Sequence, residues 1–61
     1  MTEAEFFCNA LRDLRMSQAE FAELIDEPES RAADWCNGNL PVPRIVEVLV
    51  IAMMTVEALG N

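Results

Sequence analysis

The residue types that usually carry catalysis or bind metal ions are scarce in this 61-residue chain. It contains no His, no Lys and no Tyr, so the commonest general bases, Schiff-base nucleophiles and imidazole metal ligands are absent. Glu20 pairs with Glu23, and Glu23 with Glu27, at helical spacing, but we expect these carboxylates to form a solvated face. We therefore predict no catalytic residue, no metal site, no cofactor and no enzyme activity.

Two cysteines are the remaining candidates for reactive groups. Cys8 and Cys36 are 28 positions apart and lie outside any Cys-x-x-Cys pattern. Two reduced thiols that pack in a cytoplasmic protein are the favoured interpretation, and a disulfide bridge or a redox pair is the alternative. The N-terminal segment MTEAEFF carries two acids and no basic residue, which is not the pattern of a signal peptide.

The charge of the chain is unevenly distributed. Eleven acids face four arginines, the net charge is −7, and residues 1–34 hold nine of the acids with three of the arginines. A phosphate backbone repels such a chain unless its few cations are concentrated on one face. Hydrophobic residues nevertheless make up 52% of the sequence. Because a chain this short has little interior, that excess suggests a subunit interface.

Hydrophobic periodicity predicts an all-α fold with four helices in one domain, residues 1–61. The helices are expected at about 3–14, 18–25, 28–36 and 43–59. The first has an apolar stripe that runs from Phe6 to Leu14, and the second begins with a capping box, in which Ser17 and Glu20 exchange hydrogen bonds.

The third helix is predicted from the residues at its two ends. Asp26 or Glu27 is expected to cap its N-terminus, with Pro28 in the first turn. Gly38 is expected to end it, because glycine tolerates a left-handed conformation. Two prolines within residues 39–43 then predict an extended linker.

The last helix is apolar almost all round. From Ile45 to Leu59 only Glu47, Thr55 and Glu57 are polar, and about 22 Å of helix is too short to cross a bilayer. One apolar stripe comprises Ile45, Leu49, Ala52, Val56 and Leu59, and the other comprises Val46, Val50, Met53 and Met54. Three short helices cannot cover both stripes, so we predict a homodimer, and a monomer whose last helix is partly exposed is the alternative. The predicted interface residues are Val46, Leu49, Val50, Met53, Met54 and Val56.

Several residues within residues 10–50 match, in type and in spacing, a known sequence pattern, with no insertion or deletion relative to that pattern. They are Arg15, Ser17-Gln18, Phe21-Ala22, Trp35, Gly38 and Pro41. In residue type and spacing this segment resembles the Cro/phage-repressor (XRE-type) helix-turn-helix family. The resemblance implies a lambda-repressor-like fold, here a small four-helix domain with a helix-turn-helix. The long apolar C-terminal helix is this chain's own feature. It also implies a small dimeric transcriptional regulator, phage- or prophage-like in size, that binds double-stranded DNA at a two-fold operator.

In such proteins the third helix lies in the major groove. Carried over by position, the DNA-binding candidates are Gln18, Glu29, Ser30, Arg31, Ala33, Asp34, Asn37, Asn39 and Arg44. Arg31 is a candidate for a guanine or phosphate contact, and a surface salt bridge to Glu27 or Asp34 is the alternative. Glu29 is either a cytosine acceptor or a first-turn acid that stabilises the helix dipole.

Two turn residues depart from the family pattern, and both departures add acid. Asp26 occupies a position that is often Gly, and Glu27 one that is usually small and apolar. A second interpretation follows from this acidity. The chain is then a protein-binding module, a DNA mimic or antirepressor, whose carboxylates take the place of phosphates on a basic partner.

Overall fold

The computed structural model describes residues 1–60, and all regular structure in that part of the chain is helical. The helices are α1 (Glu3–Asp13), α2 (Gln18–Leu24), α3 (Glu29–Asn37) and α4 (Arg44–Leu59). The all-α, four-helix prediction is confirmed, and the predicted bounds differ from these by at most one residue. The predicted domain 1–61 extends to Asn61, which lies outside the described residues.

Reciprocal hydrogen bonds begin the first two helices. The Ser17 hydroxyl accepts from the Glu20 amide at 3.0 Å, and the Glu20 carboxylate accepts from the Ser17 amide at 2.9 Å. This is the capping box predicted for α2. Thr2 and Glu5 form the same motif at the start of α1, which was not predicted. Both caps satisfy amide donors that a helix N-terminus otherwise leaves without partners.

Three helices end on a residue in the left-handed conformation. These residues are Arg15 (φ 59°), Asp26 (φ 58°) and Gly38 (φ 80°). After α2, the Glu27 amide returns to the Ala22 carbonyl at 2.8 Å, as expected for a Schellman ending. Because such endings reverse the chain within two or three residues, α1, α2 and α3 are joined by tight turns, although only one of the three residues is glycine.

The predicted N-cap of α3 is wrong. The cap is Pro28 (φ −68°, ψ 146°), and it makes no side-chain hydrogen bond to the helix. Asp26 and Glu27 cannot cap α3 because they belong to the ending of α2, where Asp26 is left-handed and the Glu27 amide is already bonded. The first-turn amides of α3 therefore have no side-chain cap.

The core is entirely apolar, since no polar or charged residue among residues 1–60 is buried. Phe7 lies at its centre. Its ring meets the rings of Phe21 (centroids 5.3 Å apart, 75° between planes) and Trp35 (5.6 Å, 88°) edge-on. α1 packs against α3 and α4, and α2 packs against α3. The buried residues are Phe7, Ala10, Leu11, Phe21, Ala22, Ala32, Trp35, Val42, Val46 and Val50.

The linker before α4 is tied back to α1. Val42 is buried, and its amide donates to the Glu3 carboxylate across 39 positions of sequence. Residues 41–43 have no regular structure, as the two prolines predict. This attachment fixes where α4 begins relative to α1.

The inward side of α4 corrects the predicted dimer interface. Val46 and Val50 are 6% and 0% exposed, so both belong to the core of a single chain and are wrong as interface residues. Leu49, Met53 and Met54 are half-buried against that core, whereas Val56 is exposed. Helical periodicity identified two stripes but could not tell which of them faced inward, because both are apolar.

The opposite side of α4 carries an exposed apolar stripe. Its members are Ile45, Val48, Ala52, Val56 and Leu59, which follow one another at steps of three and four residues. At its C-terminal half the stripe borders an open apolar groove of about 430 Å³ that Leu14 and Met16 line from the α1 side. No helix among residues 1–60 has the length and apolarity needed to cross a membrane.

Truncation of Val50 tests this assignment of the two sides. We expect Val50→Ala to lower the free energy of unfolding by about 2 kcal/mol, because two methyl groups leave a fully packed site. Leu24→Ala removes more carbon, but from a side chain that is 58% exposed, and should cost less than about 1 kcal/mol. Urea unfolding followed by circular dichroism measures both. Equal costs would contradict the burial of Val50.

Candidate nucleic-acid interface

One side of α3 points away from the core. Glu29, Ser30, Ala33, Asp34 and Asn37 recur at helical spacing along this side, and we call these five residues the α3 face. Glu29, Ser30 and Asn37 are exposed, and Ala33 and Asp34 are half-buried. Ala32 and Trp35, on the other side of the helix, are buried at 0% and 4% exposure. Five of the nine predicted DNA-binding residues therefore lie on one surface.

Arg31 lies at the edge of the α3 face and is paired. Its Nε is 3.4 Å from the Glu27 carboxylate, and the two side chains are 51% and 35% exposed. The structure thus contains the salt bridge that was the alternative to a nucleic-acid contact. An exposed pair of this kind contributes about 0.2–1 kcal/mol, so a phosphate or a guanine edge can compete for the guanidinium.

Asn39 is directed toward the end of α3. Its side-chain amide donates to the Asp34 carboxylate at 3.5 Å, and its backbone amide donates to the Asp34 carbonyl at 2.9 Å. Asn39 therefore contacts the α3 face through Asp34. Arg44, the remaining predicted cation, is exposed at the first residue of α4.

Gln18 lies next to a thiol. It is half-buried at the first residue of α2, and its side chain is close enough to Cys36 to favour the thiolate. Burial nevertheless dominates at Cys36 and, with the neighbouring Cys8 thiol, raises its pKa to about 12. Both cysteines are free and half-buried.

In the first turn of α2, hydrogen bonds from the Ser17 backbone and hydroxyl lower the pKa of Glu20.

The electrostatic character of this surface is acidic. Glu29 and Asp34 lie on the α3 face, and Glu27 adjoins it and neutralises Arg31. Glu27 was not among the predicted interface residues. It precedes Arg31 by four positions, a spacing at which oppositely charged side chains often pair, and this spacing could have identified it. No side chain caps the N-terminus of α3. Besides the Arg31 guanidinium, the first-turn backbone amides of α3 are therefore hydrogen-bond donors at this end of the helix.

Comparison with known proteins identifies no relative. The chain matches no protein-family profile, no curated protein and no solved structure. The interface is therefore argued from this chain's own residues.

The raised pKa of Cys36 predicts a fall in stability at alkaline pH. A thiol that keeps its proton to a higher pH in the folded chain than in the unfolded chain stabilises the fold below pH 9, and this stabilisation is lost as pH rises toward 12. The chain contains no Lys and no Tyr that would titrate in the same range. Unfolding under reducing conditions should show a progressive loss of stability above about pH 9. Its slope should be shallower than the limit of about 1.4 kcal/mol per pH unit for one proton, because the thiol is only partly buried.

The matched control is Cys36→Ala, measured over the same pH series. Its free energy of unfolding should vary much less above pH 9, since the shifted group is gone. An equally steep fall in the variant would show that Cys36 does not cause the pH dependence.

Proposed function

We propose that the chain is a small dimeric regulator of Cro/XRE type that binds DNA sequence-specifically with α3 in the major groove. The observation that carries this proposal is the relation of α2 to α3. The two helices pack together across a turn of four residues, and the outer side of the second helix is left free of the core. That arrangement is the requirement for a helix to enter a groove while its partner crosses the backbone.

The turn between α2 and α3 supports the resemblance to the helix-turn-helix family. Asp26 has a left-handed backbone at the position where that family often has Gly. Only a few residue types besides glycine adopt this conformation readily, and Asp is one of them. An Asp at position 26, where the family often has Gly, is therefore compatible with the turn that the family requires.

The contacts available to DNA are few, and this sets the expected affinity. Arg31 can bind a guanine edge or a phosphate, and Ser30 and the uncapped first-turn amides of α3 can bind phosphate oxygens. The four arginines of the chain limit each subunit to few ionic contacts. Roughly four phosphate contacts for a dimer give a slope near −4 in a plot of log affinity against log salt.

The exposed stripe of α4 is the proposed dimer surface. The segment from Ile45 to Val56 contains one charged residue, Glu47, so two copies can approach there despite a net charge of −7 each. Apolar residues at steps of three and four positions are typical of a seam between two helices. A two-fold dimer of this kind presents two copies of α3, as a two-fold operator requires.

DNA binding is tested by fluorescence anisotropy with duplexes from the region upstream of the chain's own coding sequence, in about 50 mM salt. We expect saturable binding, and we expect Arg31→Ala to weaken specific binding by about 1–3 kcal/mol, roughly 5-fold to 150-fold. Helicity should stay unchanged, because Arg31 is exposed. Absence of saturable binding, or an unaffected Arg31→Ala variant, would contradict the proposal.

A pair of charge-neutralising variants separates a local effect from one of net charge. Glu27→Gln releases Arg31 from its ion pair, whereas Glu23→Gln removes the same charge from the exposed surface of α2. We expect Glu27→Gln to raise DNA affinity more than Glu23→Gln. Equal increases would indicate that only net charge matters.

The dimer is tested by light scattering over a range of concentrations. Ala52→Glu places a charge in the middle of the exposed α4 stripe and should shift the chain to monomer. Ala19→Glu makes the same change at an exposed position on α2 and should leave the dimer intact. A monomeric wild-type chain, or dimers in both variants, would contradict an interface on this stripe.

A second function is favoured by one observation, the neutralisation of Arg31 by Glu27 beside the acidic α3 face. In this alternative the chain binds a basic protein, with Glu29 and Asp34 in place of phosphates. The double variant Glu29→Gln/Asp34→Asn separates the two functions, because it should improve DNA binding but abolish capture of a basic partner. Capture on immobilised chain, with this variant as the control, measures the second effect.

A further inference from the structure

The two cysteines meet where α1 crosses α3. The Cys8 thiol donates to the backbone carbonyl of Cys36 at 3.5 Å, although 28 positions separate them in sequence. Each thiol is half-buried, so both are shielded by the fold yet remain within reach of small solutes. No other cysteine is present in the chain.

The crossing is close and well packed. Phe7 and Trp35, the residues immediately before the two cysteines, are in edge-to-face contact at 5.6 Å. The beginning of α1 and the end of α3 are also close, since a Cβ on Gly38 would lie 3.8 Å from the Cβ of Ala4. Packing on both sides therefore holds the two thiol-bearing turns together. A disulfide forms without large backbone movement only when the two Cα atoms lie within about 7 Å of each other.

We propose that Cys8 and Cys36 are a redox pair that forms an intramolecular disulfide between α1 and the last turn of α3. The oxidant is a low-molecular-weight disulfide of the glutathione type. The Cys8 thiolate attacks one of its sulfurs, which forms a mixed disulfide and releases one thiol. The Cys36 thiolate then attacks the Cys8 sulfur and releases the second thiol. Two protein thiols lose two electrons and two protons, and the oxidant gains them.

The order of these steps follows from the surroundings of the thiols. Burial keeps Cys36 protonated, which disfavours it as the thiol that meets a solute first. Its attack on the mixed disulfide is intramolecular, and proximity compensates for the small thiolate fraction. The bond formed lies on the flank of α3 that faces α1, so the α3 face stays open.

The cross-link is expected to stabilise the fold. It closes a loop of about 30 residues, which in the chain-entropy account raises the Tm of so small a domain by roughly 15–30 °C. The raised Tm distinguishes a bond that fits the folded crossing from one that forms only between unfolded chains.

The test equilibrates the full-length chain in buffers of increasing oxidised-to-reduced glutathione ratio. Intact mass after alkylation counts free thiols, and circular dichroism gives the Tm. We expect both thiols to disappear together, with a mass lower by two hydrogens, no covalent dimer and a raised Tm. Cys36→Ser and Cys8→Ser are the matched controls. Cys36→Ser, which keeps the Cys8 thiol, should accept one glutathione, whereas Cys8→Ser should react more slowly because burial keeps Cys36 protonated. Neither variant should show a rise in Tm.

Three results would overturn the proposal. They are a wild-type chain that ends as a glutathione adduct, one that ends as an interchain dimer, and an intramolecular disulfide that leaves the Tm unchanged or lowers it. Because these outcomes are measured on the wild-type chain, they do not depend on the folding of either variant. They are also independent of whether the chain binds DNA.

Discussion

The edge-to-face contacts of Phe7 with Phe21 and Trp35 are the interaction on which the rest of the structure depends. They join α1, α2 and α3 through one ring, with centroid separations of 5.3 and 5.6 Å. Aromatic pairs of this geometry add about 0.5–1.5 kcal/mol beyond the area they bury. In a chain of 61 residues the core is small.

The position of Trp35 accounts for two further features. Because its ring is held against Phe7, α3 turns its opposite side outward and leaves the α3 face free of the core. The same contact brings Cys36 beside Cys8, so the thiol pair is a consequence of the helix crossing. Substitutions at Phe7 or Trp35 therefore disturb the interface and the thiols together, whereas changes on the α3 face disturb neither the core nor the crossing.

Local signals in the sequence predicted the helices well, because they concern neighbouring residues. The Ser17 capping box and the left-handed ending at Gly38 both depend on a few adjacent positions, and both are present. Tertiary relations were harder to predict. Val50 belongs to one of two equally apolar stripes, and only packing against α1 decides that it faces inward. Pro28 caps α3 because the ending of α2 uses Glu27, and the proximity of Gln18 to Cys36 depends on how two helices meet.

We propose that the α3 face, held outward by Phe7 and Trp35, is the surface that binds DNA. Amide NMR of the full-length chain, titrated with the duplex that it binds, tests this most directly. The account predicts that the largest shifts fall on residues 29–34, while Trp35 and the amides of α4 change little. Shifts concentrated on α4, or a spectrum unchanged at saturating duplex, would contradict it.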